Sequence, residues 1–129
     1  MKYLLLPVLL LSLFLYSCKG ETTTEKSVVN LSSDTLRLQV SNSEYVFLDT
    51  LMAPGEEFII SNSVEGESYP EPQDPASDIT YFVLYNMNND TCTRDYTDQM
   101  MWNTLSERTK KRPANYNHRY NFIVTDADF

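Results

Sequence analysis

Of the 129 residues only three are glycine, two cysteine, one histidine and one tryptophan. Each scarcity removes a class of chemistry. Three dispersed glycines cannot build a glycine-rich phosphate cradle. One histidine and two cysteines cannot complete a zinc set of His and Cys ligands, and two cysteines cannot staple a disulfide scaffold. Cationic charge is also scarce: ten Lys and Arg stand against eighteen Asp and Glu, a formal net charge of −8. That balance disfavours nucleic acid as a partner, because phosphate binding needs an excess of Lys and Arg. The longest uncharged apolar run, Leu4 to Tyr16, has 13 residues, short of the roughly 20 that a membrane-spanning helix needs. A chain of this length accommodates one domain.

The first residues carry an address. Met1-Lys2 is a positive start, Leu4 to Tyr16 reads as the apolar region of a secretory signal, and Leu15-Tyr16-Ser17-Cys18 places an apolar residue at −3 and a small one at −1 before a cysteine. This arrangement resembles the lipobox of bacterial lipoproteins. The resemblance implies cleavage after Ser17, acylation of Cys18 with chains such as palmitate, and stable attachment to lipid. Lys19 follows where an inner-membrane lipoprotein of the enteric type would often carry Asp, so the expected location is the outer membrane, on either face. An ordinary signal peptide or a single membrane anchor is the alternative. The expected organisation is a signal peptide over 1–17, the acylated cysteine and a flexible polar tether over 18–27, and a β-rich domain over 28–129. Losing residues 1–17 removes one cation, Lys2, which leaves nine Lys and Arg against eighteen Asp and Glu, a net charge of −9. With Cys18 acylated, Cys92 has no disulfide partner and reads as a small buried hydrophobe. Its pairing with His118 as a nucleophile and base lacks a third, orienting residue.

The body reads as strands. Leu36, Leu38 and Val40 alternate with Thr35, Arg37 and Gln39, and Tyr120, Phe122 and Val124 alternate with polar neighbours at the end of the chain. Tyr45 to Met52 and Phe58 to Ser61 flank Ala53-Pro54-Gly55-Glu56, in which Pro fixes φ and Gly supplies a positive φ for a type II turn. Ile79 to Asn86 is apolar on both faces, which suits a central strand. Asp98 to Arg108 breaks the pattern: Met100, Met101, Trp102 and Leu105 suit a helix stripe. Thr97 would cap it, and Lys110, Lys111 and Arg112 would end it before Pro113. The fold class expected is mainly β, an antiparallel β-sandwich or open sheet with one short helix near the C-terminus.

Candidate sites follow from charge and loops. Glu44 to Asp98 holds twelve acidic residues and one basic, whereas Arg108 to Arg119 holds five basic and no acidic. Arg108, Lys110, Lys111, Arg112 and Arg119 are therefore a candidate anion-binding patch for lipid headgroups, phosphorylated lipopolysaccharide cores or an acidic glycan. The competing reading is a solvated face that caps a helix and neutralises the acidic body. Asn62 to Asp78 is a 17-residue stretch with three prolines and five carboxylates, which reads as either a functional loop or a spacer. Tyr69, Tyr96 and Tyr116 fall in loop-like positions and are the candidate ligand-stacking aromatics. Thr35, Thr50 and Thr91 each follow Asp and precede an apolar residue or Cys. These triplets resemble the acceptor of bacterial O-glycosylation systems, although Asp at turns and Thr in strands would produce them as well.

No metal site or cofactor is expected. Asn86 to Asp90 fails the EF-hand pattern, because Thr91 stands where Gly is needed and Thr97 where the bidentate Glu is needed. Eighteen acidic residues make a catalytic carboxylate pair numerically easy and uninformative.

The lipobox, the early Ser33 to Leu36 strand opening, the Pro54 to Glu56 turn and the apolar Ile79 strand together resemble small lipoproteins of Bacteroidetes-type bacteria. That resemblance carries no known activity and no catalytic residues. The reading that results is an outer-membrane-anchored lipoprotein acting as a non-enzymatic binding or accessory module, with a glycan or an envelope protein as partner and the membrane held through the lipid anchor. The second reading is a structural or adhesin-like subunit that assembles through an exposed strand edge, and the third is a small envelope hydrolase.

Overall fold

Alternation along a few strands decides the architecture. In the computed structural model, which describes residues 19–129, seven strands form two sheets. They are β1 (Thr22–Asn30), β2 (Leu36–Ser41), β3 (Leu48–Met52), β4 (Glu57–Glu65), β5 (Tyr81–Tyr85), β6 (Trp102–Lys111) and β7 (Ala114–Val124). The larger sheet has the order β4-β1-β7-β6, the smaller β3-β2-β5. All pairings are antiparallel except β1 with β7, which run parallel in the register Thr22↔Tyr116 to Asn30↔Val124. The mainly β class is thus what the strand patterns predicted. Cys18 and the expected signal segment lie outside the described residues.

The core lies between the sheets. Leu36, Leu38 and Val40 of β2 are fully buried, and so are Val28, Ile60, Phe122 and Val124 of the larger sheet. Phe82, Trp102 and Phe122 form an aromatic cluster, with Phe82 and Trp102 each 5.2 Å from Phe122 between ring centroids. At the edge of the core the Trp102 indole donates to the Tyr96 carbonyl at 2.7 Å. Burying such rings stabilises a small domain by roughly 1.5 to 3 kcal/mol each.

Three expectations need correction. The helix predicted over Asp98 to Arg108 is a single 3-10 turn, Gln99–Met101, capped by the Asp98 carboxylate. From Trp102 the chain becomes β6, an edge strand exposed along its length except at Trp102. With one buried side chain β6 has no alternation to read, and Trp102 follows the two Met residues because the core needs the indole, not because a helix face repeats. The cations expected to end a helix lie instead at the β6–β7 hairpin.

The expected tether is mostly β1. Thr22 to Ser27 pair with β4 on one side and β7 on the other, so among the described residues 19–21 alone precede the first strand. Its threonines favour extended backbone, and its polar inward side meets a polar part of the interior. The strand expected to be central, around Ile79 to Asn86, is β5 at the edge of the smaller sheet, and β2 is central. Phe82 and Leu84 face the core while Tyr81 is exposed, so the second apolar face of this segment meets solvent. The Pro54-Gly55 turn is as predicted, with Gly55 at φ 79° and Glu56 N–H bonded to the Ala53 carbonyl at 3.1 Å.

Candidate functional site

The larger sheet is longer than the smaller one that covers it. Its apolar half, at Val28, Trp102 and Phe122, packs against β2 and β5. Its polar half is covered by the segment from Gly66 to Thr80. That segment is strapped down at successive points. Thr22 Oγ1 donates to the Glu67 carbonyl at 2.7 Å and accepts from Tyr69 N–H at 2.8 Å. Gln73 N–H donates to the Tyr120 hydroxyl at 2.7 Å, and Lys26 Nζ pairs with the Asp78 carboxylate. His118, 1% exposed, is bonded at both ring nitrogens. In the neutral ring Nε2 donates to the Tyr69 carbonyl at 2.7 Å, and Nδ1 accepts from the Ser106 hydroxyl at 2.8 Å. Among the described residues every buried side-chain N or O atom has a hydrogen-bond partner, so this half is a satisfied polar core under a structural cover.

This arrangement relocates the candidate aromatics. Tyr69 belongs to the cover: its backbone binds Thr22 and His118, and its hydroxyl donates to Glu67 at 2.7 Å. The Glu67 carboxylate beside it pushes the phenol up from its ordinary value. Tyr96 is a core residue, half-buried 5.1 Å from Phe82. Tyr116 is within β7, stacked over His118 with ring centroids 6.2 Å apart. The three do not form one site. The nucleophile pairing has no geometry either, since both nitrogens of His118 are engaged elsewhere and burial pushes the half-buried Cys92 thiol up.

The five-residue basic patch divides. Arg108, Lys110, Lys111 and Arg112 lie exposed at the β6–β7 hairpin, whereas Arg119 is on the outer face of β7, 3.3 Å from Glu25. Of the acceptor-like threonines, Thr91 is exposed, Thr35 is half-buried just before β2, and Thr50 is half-buried within β3. A cleft of about 280 Å³ at the opposite end, bounded by Ser33, Asp34, Asn86, Asp90, Asp126 and Phe129, is acidic. Its Asp126 carboxylate already accepts from Ser33 N–H and hydroxyl at 2.7 and 3.0 Å. Beside the polar core, a narrower cleft of about 100 Å³ is bounded in part by Lys26, Ser61, Asp74 and Tyr120.

A different surface gathers recognition chemistry. The outward residues of β2 are Arg37, Gln39 and Ser41, flanked by Asp49 and Leu51 of β3 and by Tyr81, Val83 and Tyr85 of β5. Phe47, just before β3, is 57% exposed and lies 6.2 Å from the Tyr81 ring, which is 40% exposed. Between these rings and Tyr85 sits a polar centre. Arg37 clasps Asp49 through Nε at 2.8 Å and Nη2 at 2.5 Å, and Gln39 Nε2 donates to the same carboxylate at 3.0 Å. The hydrogen bond from Arg37 holds the Asp49 carboxyl below the usual carboxylate range. Partial burial and the adjacent Tyr85 hydroxyl push the Tyr81 phenol up. The outer face of the smaller sheet is therefore aromatic at its margins and hydrogen-bonding at its centre.

Sequence reasoning missed this face. It read the Ile79 to Asn86 strand, which carries Tyr81 and Tyr85, as central because that strand is apolar on both faces. The signal available was the Arg37, Gln39 and Ser41 set on the neighbouring strand, which requires a solvent-facing side.

Comparison with family models, curated proteins and solved structures gives no match.

Proposed function

We propose that this chain is a non-enzymatic binding module of the bacterial envelope, anchored to the outer membrane through an acylated Cys18, and that its recognition surface is the outer face of the β3-β2-β5 sheet. The observation that carries the reading is the juxtaposition of Phe47, Tyr81 and Tyr85 with the Arg37–Asp49–Gln39 centre. Aromatic rings offer an apolar platform at low conformational cost, while the guanidinium, carboxylate and amide supply donors and acceptors that read hydroxyl groups. A neutral glycan matches both properties, and the net negative charge of the domain disfavours an acidic one.

The orientation is consistent with attachment at Cys18. The polypeptide enters the fold beside the β6–β7 hairpin, and the smaller sheet covers the other half of the sandwich, away from that entry. Binding of the purified lipoprotein to an array of neutral and acidic glycans tests the reading. Binding to neutral glycans, weakened about tenfold by Tyr81→Ala, is expected. Unchanged binding by Tyr81→Ala and Phe47→Ala, or no glycan bound by the native chain, would contradict it. The anchor is tested separately, because Cys18→Ala should abolish lipid labelling.

A second reading, assembly through a strand edge, has one observation in its favour. Strand β6 has ten residues and, among the described residues, pairs only with β7. Its Arg and Lys residues and the bulge between Arg108 and Lys110 are devices that oppose edge-to-edge pairing. Concentration-dependent assembly without a soluble ligand would revive it.

A further inference from the structure

We propose that the tip of the β6–β7 hairpin docks on anionic phospholipid headgroups of the bilayer that holds the anchor. The proposal rests on the reading of Cys18 as the lipid attachment point and adds a second contact with the same membrane.

The polypeptide enters the fold along this hairpin. Thr22 is level with Tyr116. Before Thr22, Tyr116 N–H donates to the Glu21 carbonyl and Glu21 N–H to Asn115 Oδ1, both at 3.0 Å. Gly20 is buried against the next residue, so closely that a Cβ there would overlap the Ala114 carbonyl and the Ser68 hydroxyl. Only Lys19 stands between Gly20 and Cys18 in the sequence, so the chain spans at most about 7 Å from one to the other. The attachment point and the hairpin tip therefore share one end of the molecule.

That tip is cationic. Arg108 is level with Tyr116 and hence with the start of β1, so Lys110, Lys111 and Arg112 project beyond β1. All four side chains are exposed, as is Lys19. Arg108 Nη2 donates to the Lys111 carbonyl at 2.8 Å, which keeps it at the tip. Four carboxylates belong to the same end: Glu21, Glu65 level with Thr22, Glu67 bonded to the Tyr69 hydroxyl, and Glu107 one residue inward of Arg108. None lies between Arg108 and Ala114. The far end holds Asp34, Asp90 and Asp126 around its cleft. A body of net negative charge tied at its cationic end meets an anionic bilayer with that end foremost. Each Lys or Arg near such a surface strengthens binding about fivefold, an attraction confined to roughly a Debye length.

The experiment uses the acylated full chain reconstituted into phosphatidylcholine vesicles, with or without phosphatidylglycerol, and exposed to an amine-reactive label. Flotation with pure phosphatidylcholine reports the anchor; labelling of Lys110 and Lys111, read by mass spectrometry, reports the hairpin. Phosphatidylglycerol should slow labelling of both lysines several-fold, high salt should remove the protection, and Lys111→Glu with Arg112→Glu should restore Lys110 labelling to its rate on neutral vesicles. Equal labelling on both vesicles, or protection that survives the double substitution, would overturn the docking proposal while leaving the anchor intact. A chain that floats only with anionic vesicles would overturn the anchor and support the hairpin contact. One that floats with neither would overturn both.

Discussion

Lys26 is 7% exposed on the inner side of β1, and among the described residues its ammonium has one carboxylate partner, Asp78. The two ends of this pair are not equivalent. Asp78 retains a quarter of its side-chain exposure and also accepts from the Ser43 hydroxyl at 2.8 Å. Asp78→Ala strands a buried cation and should cost about 3 kcal/mol, the lower end for a broken buried pair. Lys26→Met leaves a carboxylate that water and Ser43 can still solvate, and should cost less. Urea unfolding of the two variants ranks them, and the reverse order would refute this assignment. Burial pushes the Asp78 carboxyl up, but the hydrogen bonds from Lys26 and Ser43 outweigh it and hold the group below the ordinary carboxylate range. A depressed folded value means that the stabilisation is present above the unfolded value, about 3.9, and is lost as pH falls through the folded one. Stability measured downward from pH 5 should therefore fall less steeply in Asp78→Asn than in the native chain.

At the scale of elements, Asn30 joins the two sheets where β1 ends. Its Nδ2 group lies 2.8 to 3.1 Å from the carbonyls of Asp34, Met52 and Ala53, and its Oδ1 accepts from Ser32 N–H and hydroxyl. Asn30→Ala removes all of these hydrogen bonds at a fully buried position and should destabilise by about 3 kcal/mol. Asn30→Asp keeps the shape but turns a carboxylate towards carbonyl oxygens, so thermal unfolding should place it below Asn30→Ala. The elements also differ in how legible they were. Strand β2 and the end of β7 were readable because each buries every second residue against the other sheet. Strand β6 was not, because Trp102 alone among its residues is buried. The first half of β1 was mistaken for a tether because its inward residues, Thr22 and Lys26, meet the Gly66 to Thr80 cover and not the apolar core. The candidate site was hidden for the opposite reason: Tyr81 and Tyr85 looked like core residues in an apolar strand, and only the sheet order puts them at an edge facing solvent.

Over the whole molecule, charge and covering divide along the same axis. The end where the polypeptide enters carries the cationic hairpin and the strapped polar core. The other half carries the apolar core, an acidic cleft and, outside the smaller sheet, the Phe47–Tyr81 margin. In space the uneven charge of the sequence becomes a cationic hairpin tip at one end and an acidic cleft at the other, with Arg119 drawn off into a pair with Glu25. The proposed recognition surface is the outer face of the smaller sheet. Titration of the isotope-labelled protein with the neutral glycan it retains best, followed through backbone amide shifts, locates the bound ligand residue by residue. Perturbations should concentrate at Arg37, Gln39, Phe47, Asp49, Tyr81 and Tyr85; perturbations confined to Tyr69 and the Gly66 to Thr80 cover, with the outer face unmoved, would refute that placement.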